Sequence, residues 1–570
     1  MPQYLAPGVY VEEVDTGIRT IEGVSTSVAG MVGATRRGPK RGLPQLVTSF
    51  AEFERIYGGF FPPGSTLSGA LPLAVYGFFL NGGRQLYVSG VATPGASAAS
   101  KQAKGPMIGS SQANSATFNA KETGAWGKEI AITGTPRFGP KAKVSSVHVA
   151  NKEITINGNA TGFYTNAWIR MPMDKFAKVM GVLSSGASSV LTVDALGTTD
   201  VAANDDIEVA EFDLTVTHGN TVEEYTGLTL ENIPGKSIND RLQGSALIAL
   251  ASTTLPGTGP ANFPHGTFNL TDAGLDGTGP VDNDYIGSPS DLPGDRTGIK
   301  ALEDIDGISI IAAPGNTTNS VQAALIAQCE ILKDRFAVLD SPATATVASI
   351  QTHRNQFDTR YAAIYFPSLR INDPVTGNVI DCPPSGHMAG IYARVDTERG
   401  VHKAPANEIV RGAVDFTLRV NKETQDVLNP ENINVFRDFR ADGRGLRIWG
   451  ARVMTSDTQW KYINVRRLFL FLEESIDEGT QWVVFEPNDE PLWARVRQSI
   501  SAFLTRVWRD GALMGATAEE AFFVKCDRTT MTQDDIDNGR LIVLVGVAPV
   551  KPAEFVIIRI SQWTAGAAEA

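Results

Sequence analysis

Between residues 307 and 371 unbroken apolar runs alternate with helical patterns, and this stretch constrains the fold more than any other. GISIIAAPG (307–315), RFAVLDSP (335–342) and YAAIYFPSLRI (361–371) read as strands, with SVQAALIAQCEIL (320–332) and TVASIQTHRNQF (346–357) as helices between them. A strand that is apolar on both faces has no solvent side. Strand–helix–strand order with such strands therefore predicts a parallel sheet covered by helices on both faces. SGHMAGIYARVDTER (385–399) adds a further helix, with Ser385 as its expected N-cap after Pro383-Pro384.

Near the N-terminus, GVYVEEV (8–14) has strand chemistry behind a Pro-Gly turn signal, followed by the polar segment DTGIRTIEGV. A strand placed there has no nearby partner, so it is expected to dock on something distant, such as another chain. SVAGMVGAT (27–35) reads as a buried strand. SFAEFERIYGG (49–59) reads as a helix with Ser49 as N-cap, Glu52 three residues on, and a stop at Gly58-Gly59. A second apolar helix over 71–83 and a strand over 84–91 follow. At about residue 94 bulky residues thin out, and TPGASAASKQAKGPMIGSSQANSA reads as a linker. From 117 to 295 the signals are those of strands, with a hairpin turn at His218-Gly219-Asn220, so 95–295 is expected to be one or two β-rich inserted domains.

Charge is unevenly placed along the chain. The chain carries a net −12. Residues 191–295 hold 17 Asp/Glu against 2 Lys/Arg, a net of −15 that leaves the remainder at +3. The acidic residues do not fall into a calcium-loop pattern, so a solvated surface domain is expected. The overall balance argues against nucleic-acid binding. Three widely spaced cysteines, Cys329, Cys382 and Cys526, give neither a disulfide framework nor a zinc site. The opening residues lack the charge and apolar pattern of a signal peptide. No apolar run approaches the length of about 18–20 residues that spans a membrane.

From about 426, GLRIWGARVM, NVRRLFLFLEESI, VVFEP, PLWARVRQSISAFLTRVWRDG, AFFVKC, RLIVLVGVAP and EFVIIRI alternate strands with helices. The chain reaches its last strand through Pro549 and Pro552, which hold the link extended. In the helix over 491–510, Leu492, Val496, Ile500, Phe503, Leu504 and Val507 form an apolar stripe. At about 100° per residue, Arg495, Arg506 and Arg509 fall within roughly 60° of one another beside it. That edge is either solvated or a guanidinium row offered to an acidic partner.

Catalytic motifs are missing from the sequence. There is no HExxH, P-loop, GxGxxG or GxSxG, and the six histidines are scattered. A hydrolase would have to combine Asp306 or Asp340, His353 or His387, and Ser385. Ser385 and His387 lie two apart on a helix and point in different directions, so no enzyme is expected. No cofactor or metal is expected either.

An ordered series of short motifs resembles the contractile tail sheath family of bacteriophages, tailocins and contractile injection systems. It comprises PGVYVEE (7–13), GATRRGP (33–39), PPSGHMAGIYARVDTERGVHKAPAN (383–407), LRIWGARVM (446–454), YINVRRL (462–468), VFEPND (484–489), LW (492–493), FLTRVWRDGALMG (503–515), FVKCD (523–527) and KPAEFVIIRISQ (551–562). The resemblance implies an α/β and α+β multidomain chain. An N-terminal arm (1–25) and the first part of a core domain (26–94) are followed by the β-rich inserted outer domain or domains (95–295). A domain of subtilisin-like topology without a protease site (296–425), the rest of the core (426–547) and a C-terminal arm (548–570) complete it. It also implies a structural subunit that polymerises with itself as hexameric rings around a tail tube and contracts to drive that tube through a cell envelope. Its further partners would be baseplate and tail terminator proteins, with no nucleic acid and no membrane insertion. It would assemble in the host bacterial cytoplasm as part of a virion tail or contractile particle. The arms would add strands to neighbouring subunits through Val9, Tyr10, Val11, Glu12 and Glu13 at one end and Phe555, Val556, Ile557, Ile558 and Ile560 at the other. Arg495, Arg506 and Arg509 would face the tube.

Overall fold

The structure is a computed structural model that describes residues 20–559, apart from residues 66, 109–110, 253, 291 and 293. The arm residues Val9, Tyr10, Val11, Glu12, Glu13 and Ile560 lie outside the described residues. The chain divides into two compact units. One contains the segments up to Thr35, Pro39–Val91 and Val281 onward, and the other Arg36–Gly38 and Ala92–Pro280.

The first unit is built on an eight-stranded sheet. Its strands are β1 (Ala29–Ala34), β2 (Gln45–Val47), β3 (Leu86–Val91), β4 (Ile310–Ala312), β5 (Phe336–Asp340), β6 (Ala362–Phe366), β7 (Ile433–Phe439) and β8 (Gly445–Ile448), in the order β2-β3-β1-β4-β5-β6-β7-β8. The six central strands run parallel, and β2 and β8 close the edges antiparallel. Every residue of β5 and β6 is buried. Phe336 and Val338 enter the core on one face, Ala337 and Leu339 the core on the other. That is why these strands read as unbroken apolar runs. Helices α1 (Phe50–Tyr57), α2 (Ala70–Leu80), α3 (Asn319–Leu332), α4 (Val347–Arg354) and α5 (Ser385–Arg399) follow the expected spans. Met388 and Tyr392 of α5 pack on the first face, Leu325 of α3 and Ile350 of α4 on the second. Helices α2 and α5 approach closely. A methyl added at Gly386 would lie 2.3 Å from the Ala74 carbonyl, so only glycine fits there. The single sheet is shared by residues 26–94 and the start of 426–547, read as one core domain, and by 296–425, which the sequence reading set apart from it.

Several local expectations are corrected. The run over 361–371 is not one strand. It breaks at Pro367, and Leu369–Asn372 joins a separate three-stranded sheet with Val379–Cys382 and Ala413–Phe416. Ser385 is the first residue inside α5, not its cap. The segment 483–487 is a turn rather than a strand.

The second unit is mainly β, with a short helix at Ile238–Leu242. Strands 131–148, 153–157, 188–193, 175–185, 168–171 and 206–218 pair in that order, and the last pairs back on the first to close an antiparallel barrel. Ile154, Ile169, Val179, Leu191 and Val209 are among the residues that fill it. The hairpin turns at Gly219-Asn220, with His218 opposite Thr221. The segment read as a linker forms two paired strands, Ser97–Ile108 and Ser111–Ala120. Its small residues are there for close packing: Ala99, Ala103 and Ala116 are buried, and a methyl on Gly105 would collide with the Ala261 carbonyl.

Candidate functional site

Helices α6 (Ile463–Thr480) and α7 (Glu490–Arg509) form the scaffold of the candidate assembly surfaces. Helix α7 starts where Asp489 accepts the Leu492 amide at 2.9 Å. All six stripe residues, Leu492, Val496, Ile500, Phe503, Leu504 and Val507, are buried in one cluster with Leu468 and Leu472 of α6. Of the three arginines beside the stripe, Arg495 lies 3.7 Å from Glu486 and covers the Trp482 ring, and Arg506 donates to the Ile21 carbonyl. Arg509 is exposed, with no partner among the described residues. The edge read as either solvated or offered to an acidic partner is thus partly engaged within the chain itself.

Arg506 is engaged because the N-terminal segment reaches further into the fold than its polarity suggests. Residues 15–24 read as a polar linker, yet Ile21 is fully buried in the α6–α7 cluster. The strap runs along α6 at four-residue spacing. Arg467 donates to the Thr26 carbonyl at 2.8 Å, Phe471 lies against Gly23, Ser475 accepts the Val24 amide at 3.1 Å, and Gly479 makes room for Ile21. Positions i, i+4, i+8 and i+12 of a helix share one face, so one stripe of α6 serves the whole strap. At its end, Arg467 and Asp396 form a buried two-pronged ion pair, 2.9 and 2.6 Å, and Thr26 Oγ1 donates to the same carboxylate at 2.7 Å.

The C-terminal segment is anchored by one carboxylate. Glu554 takes Arg452 Nε and Nη2 at 2.7 and 2.8 Å, Asn429 Nδ2 at 3.0 Å and the Tyr462 hydroxyl at 3.1 Å, with Lys461 Nζ 3.4 Å away. Burial pushes its pKa up. The Arg452 hydrogen bonds, the Asn429 and Tyr462 hydrogen bonds and the Arg452 charge outweigh this and hold it at about 2. Beyond this anchor the expected strand has no strand partner among the described residues. Residues 551–559 have no regular secondary structure, and Phe555, Val556, Ile557 and Ile558 are 70%, 78%, 79% and 78% exposed. Close by in sequence, Phe522–Lys525 and Leu544–Val547 form a two-stranded ribbon with no third strand among the described residues. One side of it packs on α7 through Phe522, Val524 and Val547, while Phe523 and Leu544 are half exposed. An isolated two-stranded ribbon is marginal in water, so its free edges suit an added strand.

The hydrolase candidates do not assemble. Asp340 and Ser385 meet, with the Ser385 amide and hydroxyl both donating to the Asp340 carboxylate at 2.7 Å and the Gly315 amide donating at 2.9 Å. The carboxylate therefore caps α5 from the end of β5. Burial raises its pKa to about 6, against the lowering effect of the Gly315 and Ser385 hydrogen bonds. No histidine bonds to Ser385 among the described residues. His353 Nε2 pairs with Gln322 Oε1 at 2.9 Å, and Gln322 donates to the Asp340 carbonyl instead. His387 is buried against Gly77, and burial pulls its pKa down to about 4. Asp306 is elsewhere, on the wall of a cavity of about 270 Å³ shared with Asp334, Glu474 and Glu478.

Motif reasoning found the helices and the C-terminal segment but missed the roles of Glu554, Arg452 and the Arg467–Asp396 pair. Glu554 stands as a lone acid before an apolar run, and that contrast was the available signal.

Comparison with known proteins finds family matches over residues 294–562. Residues 294–454 match the phage tail sheath protein central domain and residues 455–562 the phage tail sheath C-terminal domain. The tail sheath protein of Escherichia phage P2 is 26% identical over 281 residues, which span 47% of this chain and 68% of that one. The tail sheath protein of Burkholderia phage BcepMu is 28% identical over 46% of this chain and 57% of its own length. In fold, the chain is similar to the PVC sheath of an extracellular contractile injection system in the contracted state (TM-score 0.52, 21% identity, 99% of both chains). It is likewise similar to a sheath tail protein of Listeria innocua (TM-score 0.53, 11% identity, 93% of this chain and 96% of that one).

Proposed function

We propose that this chain, a member of the contractile tail sheath family, is a structural subunit that polymerises with copies of itself as stacked hexameric rings around an inner tube. Contraction of that stack drives the tube through a target envelope. The observation that carries this reading is the C-terminal segment: an exposed apolar run, anchored at Glu554 and without a strand partner among the described residues, close in sequence to a ribbon that has only two strands among those residues. In the assembly, Phe555–Ile558 of one copy and GVYVEEV (8–14) of another would add to such a ribbon of a third. Each backbone hydrogen bond contributes only about 0.5–1.5 kcal/mol net, but repetition around a lattice makes the sum decisive. Extended arms would keep those pairings while the folded units rotate.

On this reading the edge of α7 that carries Arg495 near its start and Arg509 at its end faces the tube through water-accessible ion pairs, which are weak enough to break on firing. The acidic stretch of the insertion, 191–295, points away from the tube. Baseplate and terminator proteins cap the stack, assembly takes place in the host cytoplasm, and the chain carries out no catalysis. Removing residues 555–570 tests the proposal. The truncated chain should remain a folded monomer by circular dichroism and sedimentation, and should form no tubes by negative-stain microscopy. Normal tubes would refute it.

A further inference from the structure

Side chains at the start of one helix, α6, hold both terminal segments. In the turn that opens α6, Tyr462 donates its hydroxyl to Glu554, and Asn464 Nδ2 donates to the Val550 carbonyl at 3.2 Å and to the His402 carbonyl at 2.8 Å. Three residues on, Arg467 grips Thr26 and Asp396. Positions 464 and 467 neighbour one another on a helix surface. The C-terminal segment is also tied on the way in, where the Ala548 amide donates to the Ala521 carbonyl at 2.9 Å and the Val550 amide to the Ala512 carbonyl at 3.1 Å. The turn itself is stiffly held. The Ile463 amide donates to the Ala451 carbonyl at 3.1 Å, and Arg466 is buried with its guanidinium over the Tyr361 and Trp460 rings. Neither root can shift without disturbing side chains of this turn.

We propose that the opening turn of α6, Tyr462–Arg467, is a shared root that couples the two terminal segments energetically, so that release of one loosens the other. In a lattice built by strand exchange, which is the reading it rests on for its use, load entering through one arm leaves through the other across this turn. The β-rich insertion and most of the main sheet are outside that path. Two arginine–carboxylate pairs, Arg467–Asp396 and Arg452–Glu554, fix the ends of the path. Both are two-pronged, so each holds direction as well as distance.

Coupling between sites is reciprocal, and this gives the test. Hydrogen exchange is measured on the full-length, unassembled chain. Glu554→Gln weakens the C-terminal root and should speed exchange over 20–28 by about fivefold, beyond its effect on 548–554. Thr26→Val weakens the N-terminal root and should speed exchange over 548–554 by a similar factor. Strand 206–218 should be unchanged in both. Acceleration confined to the altered root in both variants overturns the proposal. If Glu554→Gln loosens the whole chain, Tyr462→Phe, which removes only one hydroxyl contact, decides in its place by the same criterion. Tube formation is scored separately. Normal tubes with no coupling overturn this inference alone, whereas coupling without tubes overturns the strand-exchange reading.

Discussion

Gly479→Ala probes the strap on α6 with a single methyl. That methyl would lie 2.6 Å from Ile21 Cγ2 and 2.7 Å from Cγ1, well inside van der Waals contact. The helix cannot yield easily, because Arg467, Phe471 and Ser475 hold the same face against the strap. Ile21 is the side that gives. Full exposure of an isoleucine costs about 1.5–3 kcal/mol. Alanine in place of glycine returns up to about 1 kcal/mol of helix propensity, less here because 479 is the penultimate residue of α6. The net cost of about 1–2 kcal/mol falls on residues 20–28, since β1 is held by its own ladder from Ala29 onward. A loss of that size corresponds to roughly 5–30-fold faster hydrogen exchange across the strap, with little change in the urea midpoint of the whole chain. Ile21→Ala should abolish the effect, so that Gly479→Ala adds nothing in the double variant. Unchanged exchange over 20–28 in Gly479→Ala, or a full additive loss in the double variant, would refute the packing argument.

Three further outcomes are expected. Arg506→Glu should free the strap, because it replaces a donor to the Ile21 carbonyl with a carboxylate, whereas Arg509→Glu should leave exchange unchanged and weaken only co-assembly with tube protein at low salt. Glu554 has a folded pKa of about 2 against an ordinary 4.5, so its stabilising contribution is complete above about pH 4.5 and disappears as pH falls towards 2. Exchange over 548–554 should therefore rise in acid in the parent chain and show no such step in Glu554→Gln. Asp340 is the opposite case: its folded pKa of about 6 exceeds the ordinary 3.8, so the stability supplied by its proton is full below about pH 4 and lost as pH rises to about 6. Urea midpoints measured across that window should lose this slope in Asp340→Asn.

The parallel core was legible because a strand buried on both faces leaves an unmistakable apolar run, as in Phe336–Asp340. Caps and stops such as Ser49 and Gly58 were legible because their chemistry is local: the Ser49 hydroxyl accepts the Glu52 amide, and Gly58 takes a left-handed conformation. What escaped depends on partners distant in sequence. Thr26 and Asp396 are 370 residues apart and Arg452 and Glu554 are 102 apart, and no periodicity links them. Small residues misled the reading at 97–120, because alanine and glycine serve close strand packing as readily as they serve linkers. The polar run before Val24 hid the buried Ile21, because two isoleucines among polar and glycine residues are too few to set a period.

The central claim is that the exposed C-terminal segment becomes a strand by pairing with another copy of the chain. Cryo-electron microscopy of tubes grown from the purified full-length protein measures this directly. Phe555–Ile558 of one subunit should lie as an added strand beside the Phe522–Lys525 and Leu544–Val547 ribbon of a neighbour. Tubes in which those residues fold back onto their own subunit, or no tubes under any condition in which the chain stays folded, would contradict the account.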